Sequence, residues 1–143
     1  MTAQPLLQLS DVSAGYGPIV ALKGVSLHVH PGEIVSIIGA NGAGKTSTLM
    51  CISSLLEVRS GAIRFDGKDV TNYPSHELVS LGLVHVPEGR KIFPRLTVIE
   101  NLRLGAFLRN DKAEIAKDLE EVFTLFPVLE KRQSQSGGTL SGG

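Results

Sequence analysis

Eight residues, Gly39 to Thr46, read "GANGAGKT" and match G-x-x-x-x-G-K-[ST] at every specified position. The chemistry such a run can do is to hold a chain of phosphates. Backbone N–H groups can converge on a polyphosphate only where no side chain blocks the approach and where the backbone can take positive φ, and Gly39, Gly42 and Gly44 supply both conditions. Ala40, Asn41 and Ala43 complete the loop. Lys45 carries an ammonium to the terminal phosphates, and the Thr46 hydroxyl is an oxygen ligand for Mg²⁺, a hard cation that bridges the same phosphates. A helix beginning at this point adds its free N–H groups and the positive end of its dipole.

The neighbouring elements suit that task. "IVSIIG" precedes the loop, with Ile34, Val35, Ile37 and Ile38 apolar on both faces, the pattern of a central strand covered on each side. A helix is expected over about Lys45 to Leu56, with Leu49, Ile52 and Leu56 forming its core-facing stripe. "LLQLSDV", "VSLHVH" and "AIRF" read as further strands. In the second of them Val25, Leu27 and Val29 alternate with Ser26, His28 and His30, so the histidines are expected in solvent rather than on a metal. "PSHELVSLG" predicts a short helix closed by Gly82, and "LVHVP" another buried strand. Beyond Pro87 the pattern turns helical. Thr97 with Glu100, and Asp111 with Glu114, stand at capping-box spacing, and Ile115, Leu119, Val122, Phe123 and Phe126 form one stripe that Pro127 ends. The expected organisation is thus 1–88, antiparallel β plus the phosphate-loop part of a core, and 89–143, a helical subdomain.

Composition excludes several classes. Fourteen Lys and Arg balance fourteen Asp and Glu, so no broad field attracts nucleic acid or anionic lipid, and no nucleic-acid partner is expected. No apolar run approaches the roughly 20 residues of a membrane-spanning helix, and the first ten residues lack the pattern of a signal peptide, so a cytosolic location is expected. The single Cys51, among apolar neighbours, reads as a small core residue.

Taken with the loop, four further stretches resemble the ATP-binding subunit of ABC transporters over essentially the whole chain. "GYGP" resembles the family's adenine-stacking loop and implies that Tyr16 faces the base. "VHVPEGRKIFPRLTVIENL" is similar to the segment entering the helical subdomain, and "TLSGG" resembles the start of the family signature. Together with "LFPVLEKR", these are most similar to branched-chain amino-acid uptake ATPases of the LivF type. The resemblance implies an α/β phosphate-loop NTPase fold (P-loop NTPase, ABC nucleotide-binding domain), ATP and Mg²⁺ as cofactors, and pairing head to tail with a second ATP-binding subunit, identical or not. In that pairing Ser141, Gly142 and Gly143 meet the γ-phosphate held on the partner's phosphate loop. It also implies transmembrane permease subunits as partners and a peripheral place on the inner face of the cell membrane.

Glu88 stands where the wider family has Gln, the residue that senses the γ-phosphate and Mg²⁺; the amino-acid uptake branch resembles this chain in having Glu. Glu88 joins Lys45 as a candidate catalytic residue and Thr46 as a candidate metal ligand, its role left open, since a carboxylate beside a triphosphate repels unless Mg²⁺ intervenes. Ser47, for the usual Thr, keeps a hydroxyl. No apolar strand ending in Asp-Glu occurs before Gly143, and His85 lies too early to be the family's switch histidine. The expectation is therefore a domain cut at its signature, with the "IVSII" strand poorly covered and ATP hydrolysis by the 143 residues alone improbable. A nucleotide-binding fragment without catalysis, and an ATPase of another transport system, stand as alternatives.

Overall fold

A computed structural model describes residues 4–89 and 91–140. The chain forms two units, Met1–Val86 and Pro87–Gly143. In the first, β1 (Leu7–Tyr16) and β2 (Ile19–Val29) form a hairpin about the Gly17–Pro18 turn, followed by α1 (Lys45–Ile52), β3 (Val58–Phe65), β4 (Lys68–Asp69) and α2 (Ser75–Ser80). The strands make one antiparallel four-stranded sheet in the order β2-β1-β3-β4. Leu9 lies opposite Leu27 on one side and Ile63 on the other, and this register gathers the sheet's inward side chains.

Leu9, Val12, Ala14, Leu22, Val58 and Ile63 are buried, and Cys51 of α1 and Leu78 of α2 close on them. Cys51 is thus the core residue that its neighbours imply, and burial pushes its thiol up, away from the reactive thiolate. Along β2, Val25, Leu27 and Val29 are half-buried while Ser26 and His28 are exposed, as the alternation requires; His30, expected in solvent, is instead half-buried, because it lies past the end of the strand and packs edge-on against His28. Gly82 follows α2 as expected, its N–H donating to the Val79 carbonyl.

Three expectations need correction. Residues 34–38 have no strand pairing, and Ile34 and Ile38 are 95% and 92% exposed. An apolar stretch becomes a central strand only when its main-chain groups find neighbours on both edges, and no strand among the described residues runs beside it. "LVHVP" behaves alike: Leu83 is buried, whereas Val84 and Val86 are exposed and unpaired in any strand. Helix α1 ends at Ile52, not near Leu56, and turns Thr48 and Cys51 inward while leaving Leu49 exposed.

In the second unit, α3 (Val98–Leu104), α4 (Lys112–Leu125), α5 (Pro127–Lys131) and a single 3₁₀ turn (Gly137–Thr139) follow one another. The capping box of α3 is complete: the Glu100 N–H donates to the Thr97 hydroxyl, and the Thr97 N–H donates to the Glu100 carboxylate at 2.8 Å. Asp111, the expected cap of α4, makes no cap hydrogen bond; its carboxylate accepts instead from Arg109, whose guanidinium also reaches Asp118. Ile115, Leu119, Val122 and Phe123 are half-buried along α4, Phe126 is exposed, and Pro127 both follows the end of α4 and opens α5. Among the described residues no helix is long and apolar enough to cross a membrane.

Two outcomes follow from this packing. Ile63→Ala, in a side chain 1% exposed, should cost roughly 2–5 kcal/mol in a denaturant titration of the first unit. The two Thr97 donors hold the Glu100 carboxyl below its ordinary value. The folded form therefore binds that proton less readily than the unfolded chain, and its stabilisation is present at neutral pH and lost as pH falls through the carboxylate range. Glu100→Gln, which removes the titrating carboxyl from the cap, should flatten this acid limb in a melting-temperature profile; an unchanged limb would show that the cap does not carry it.

Candidate functional site: the glycine-rich loop

The loop is held by bonds of short reach. The Ala43 N–H donates to the Ala40 carbonyl at 3.1 Å, and the Thr48 N–H and hydroxyl both donate to the Gly44 carbonyl, at 2.8 and 2.9 Å. Lys45 bends back across the turn, and its Nζ donates to the carbonyls of Gly39 at 2.7 Å and Ala40 at 2.8 Å. The ammonium is thereby fixed over the loop instead of extending into solvent. Asn41 and Thr46 are exposed, and Ser47 is half-buried in the first turn of α1.

Gly42 and Gly44 have φ of +85° and +88°. At Gly42 a Cβ would meet nothing within 4 Å; at Gly44 it would lie 2.7 Å from Leu22 Cδ2 and 3.0 Å from the Ala21 carbonyl oxygen. Gly44 thus answers two demands, a left-handed backbone and a close approach to β2, and it also caps α1. The first N–H groups of α1, which a helix cannot satisfy internally, open beside the Lys45 ammonium. These features fit a polyphosphate: its anionic oxygens can accept from the ammonium in place of two carbonyls and from the free N–H groups together. The Thr46 hydroxyl is a hard oxygen donor of the kind Mg²⁺ takes.

Tyr16 ends β1 beside this helix, the residue 46% exposed and its hydroxyl donating to Met50 Sδ at 3.3 Å. The hairpin turn after it is braced by Arg59, whose Nη2 donates to the Gly17 carbonyl. Glu88 is exposed and belongs to the second unit. Ser141, Gly142 and Gly143 lie outside the described residues. The structure therefore gathers Tyr16 and residues 39–47 on the first unit.

Sequence reasoning missed Arg59, Ala21 and Leu22. Their contributions join residues far apart in the chain, 42 positions for Arg59 and Gly17, and no local pattern announces them. It also missed His85 as a partner of Ser53, the two 3.0 Å apart at the end of α1. The Ser53 hydroxyl proton is engaged by the Leu49 carbonyl at 2.8 Å, so the imidazole Nδ1 is the donor toward Ser53.

The ABC transporter family model matches residues 22–143, and the chain belongs to that family. It is 44% identical over 138 residues to BraG of Pseudomonas aeruginosa, a high-affinity branched-chain amino acid transport ATP-binding protein, covering 96% of this chain and 59% of that one. A solved ATP-binding subunit of an ABC transporter superposes with a TM-score of 0.84 at 34% identity, covering 95% of this chain and 56% of the other. A dimeric post-hydrolysis cassette, MJ0796, bound to ADP and Pi, gives 0.78 at 26% identity over 94% and 63%. The chain thus spans less than two thirds of the length of each of these relatives.

The two loop glycines separate strain from crowding. Gly42→Ala should cost roughly 1–2 kcal/mol for its left-handed backbone alone, whereas Gly44→Ala adds overpacking of about 1–3 kcal/mol against Leu22 and Ala21. Equal shifts in chemical denaturation would show that β2 does not press on the loop.

Proposed function

We propose that this chain is the nucleotide-binding part of an ABC importer subunit that couples ATP binding and hydrolysis to uptake of branched-chain amino acids across the cytoplasmic membrane. The observation that carries the reading is the Lys45 ammonium held over the glycine loop by the Gly39 and Ala40 carbonyls. The solute class is supported by the likeness to BraG, whose name states that transport role.

In this reading ATP lies with its phosphates on residues 39–46. Lys45 exchanges its carbonyl partners for β- and γ-phosphate oxygens, and the N–H groups at the start of α1 donate to the remaining phosphate oxygens. Tyr16, already beside α1, offers its exposed face to the adenine, a stacking contact that tolerates small shifts of the base. Bound Mg²⁺ would supply neutralisation of the developing phosphoryl charge, with the Thr46 hydroxyl as the ligand this loop offers. Glu88 retains the proposed role of oxygen ligand or water acceptor that the resemblance implies.

A second ATP-binding subunit, head to tail, is the proposed partner, with Ser141, Gly142 and Gly143 of one chain directed to the γ-phosphate on the other. The dimeric form of MJ0796 supports such pairing. Transmembrane permease subunits complete the proposed assembly and place the protein at the inner face of the membrane.

Lys45→Ala should weaken MgATP binding by about tenfold to a hundredfold, the loss expected of one charged hydrogen-bonding partner. Titration calorimetry on the wild type and variant, with melting temperatures in parallel, checks it. Unchanged affinity in a folded variant would end the nucleotide reading.

A further inference from the structure

Within the second unit, the chain leading to Ser141 is fastened to the segment that precedes α3. Thr97 and Ser136 form a β-bridge, and the Gly137 and Gly138 N–H groups donate to the carbonyls of Leu96 at 2.8 Å and Pro94 at 3.0 Å. The Ser136 hydroxyl donates to the same Pro94 carbonyl at 2.6 Å. In the opposite direction, the N–H groups of Val98 and Ile99 donate to the carbonyls of Gln135 and Gln133. The fit leaves no room for side chains at the contact: a Cβ on Gly138 would stand 2.9 Å from Pro94 Cβ and 3.0 Å from its carbonyl oxygen.

Asn101 shapes the half of the clasp that receives this chain. Its Oδ1 accepts the Phe93 N–H at 2.8 Å, and its Nδ2 faces the carbonyls of Phe93, Leu96 and Thr97 at 3.1, 3.2 and 2.9 Å. The accepted N–H fixes the orientation of the amide, because the reversed amide would set an oxygen against these carbonyls. Nδ2 would also lie only 3.1 Å from a Cβ placed on Gly137, so a side chain at that position would crowd the amide. One side chain thus folds Phe93–Thr97 into the shape against which Ser136–Gly138 dock, and the backbone leaves the clasp at Leu140, one residue before Ser141.

We infer that Asn101 is a positioning residue for the proposed trans step on ATP, acting by holding Ser136–Leu140, the last described stretch before the signature-like residues, against Phe93–Thr97. The inference rests on the function proposed above. Asn101 belongs to the second unit and the glycine loop to the first, so its loss should spare the capture of ATP by a single subunit and impair the step that needs the second anion site.

The test uses the full-length protein with its partner subunits. Asn101→Asp keeps the size and the acceptor for the Phe93 N–H but turns the three-carbonyl contact repulsive; Asn101→Ala removes both. Hydrogen exchange should show the Gly137 and Val98 amides losing protection in each variant. The kcat for ATP should fall by about tenfold or more, as displacement of a remote group by an ångström can do. KM for ATP and MgATP affinity of the separated subunit should stay within about twofold. Parallel loss of affinity, melting temperature and kcat would reduce Asn101 to a general structural role and overturn the inference, as would an unchanged kcat in Asn101→Asp. Lys45→Ala in the same series separates the two readings: if it retains MgATP binding, the nucleotide reading fails, whatever Asn101 does.

Discussion

The close approach of Gly44 to β2 is the constraint on which the site depends. A backbone at φ +88°, with Leu22 and the Ala21 carbonyl where a side chain would go, sets the direction in which α1 leaves the loop. That direction carries Lys45, the residue immediately after, back over the carbonyls of Gly39 and Ala40. The same helix buries Thr48 and Cys51 against the sheet, so the hydrophobic core and the glycine loop share one short element. Displacing the helix to relieve a crowded Gly44 would also open the core beneath it, which is why packing on β2 and geometry at the loop are not independent.

The antiparallel sheet reaches the site by a second route. Tyr16 is the last residue of β1 and is paired with Ile19, so the hairpin register decides where its ring stands. Arg59 of β3 holds the turn by its Gly17 carbonyl, while Ala14 pairs with Val58 in the adjacent ladder. A side chain on the third strand thereby steadies an aromatic ring on the first. The hydroxyl of that ring meets Met50 of α1, so both the aromatic ring and the glycine loop are referred to the same helix.

Local chemistry was well legible in the sequence. The left-handed Gly42 and Gly44, the capping box of Thr97 and Glu100, the alternation of β2 from Val25 to Val29, the glycine after α2 and the buried Cys51 all depend on residues close together in the chain, and each stands as its pattern implies, whereas Gly39 is not left-handed and His30 is half-buried. What was not legible depends on distant partners. "IVSIIG" and "LVHVP" have the composition of covered strands, but composition states what a segment can bury and not which strand will lie beside it. Asp111 has the spacing of a cap, yet a neighbouring guanidinium competes for its carboxylate and wins, because a charge-assisted pair with Arg109 outweighs one neutral N–H. Leu49 fits a helical stripe, but the sheet meets α1 along Thr48 and Cys51, one turn-direction away.

The unpaired state of residues 34–38 raises the question of why the loop after them is formed at all. Its bonds span at most six residues: Ala43 to Ala40, Thr48 to Gly44, and Lys45 to Gly39 and Ala40. Closing so short a ring costs little chain entropy, and the contact of Gly44 with β2 anchors the far side. The cradle therefore depends on its own turn and on the antiparallel sheet, and not on a ladder through Ile34 and Ile38. A strand laid beside those residues would add cover for their apolar side chains and fix the entry of the chain into Gly39, but it would find the turn of the loop already made.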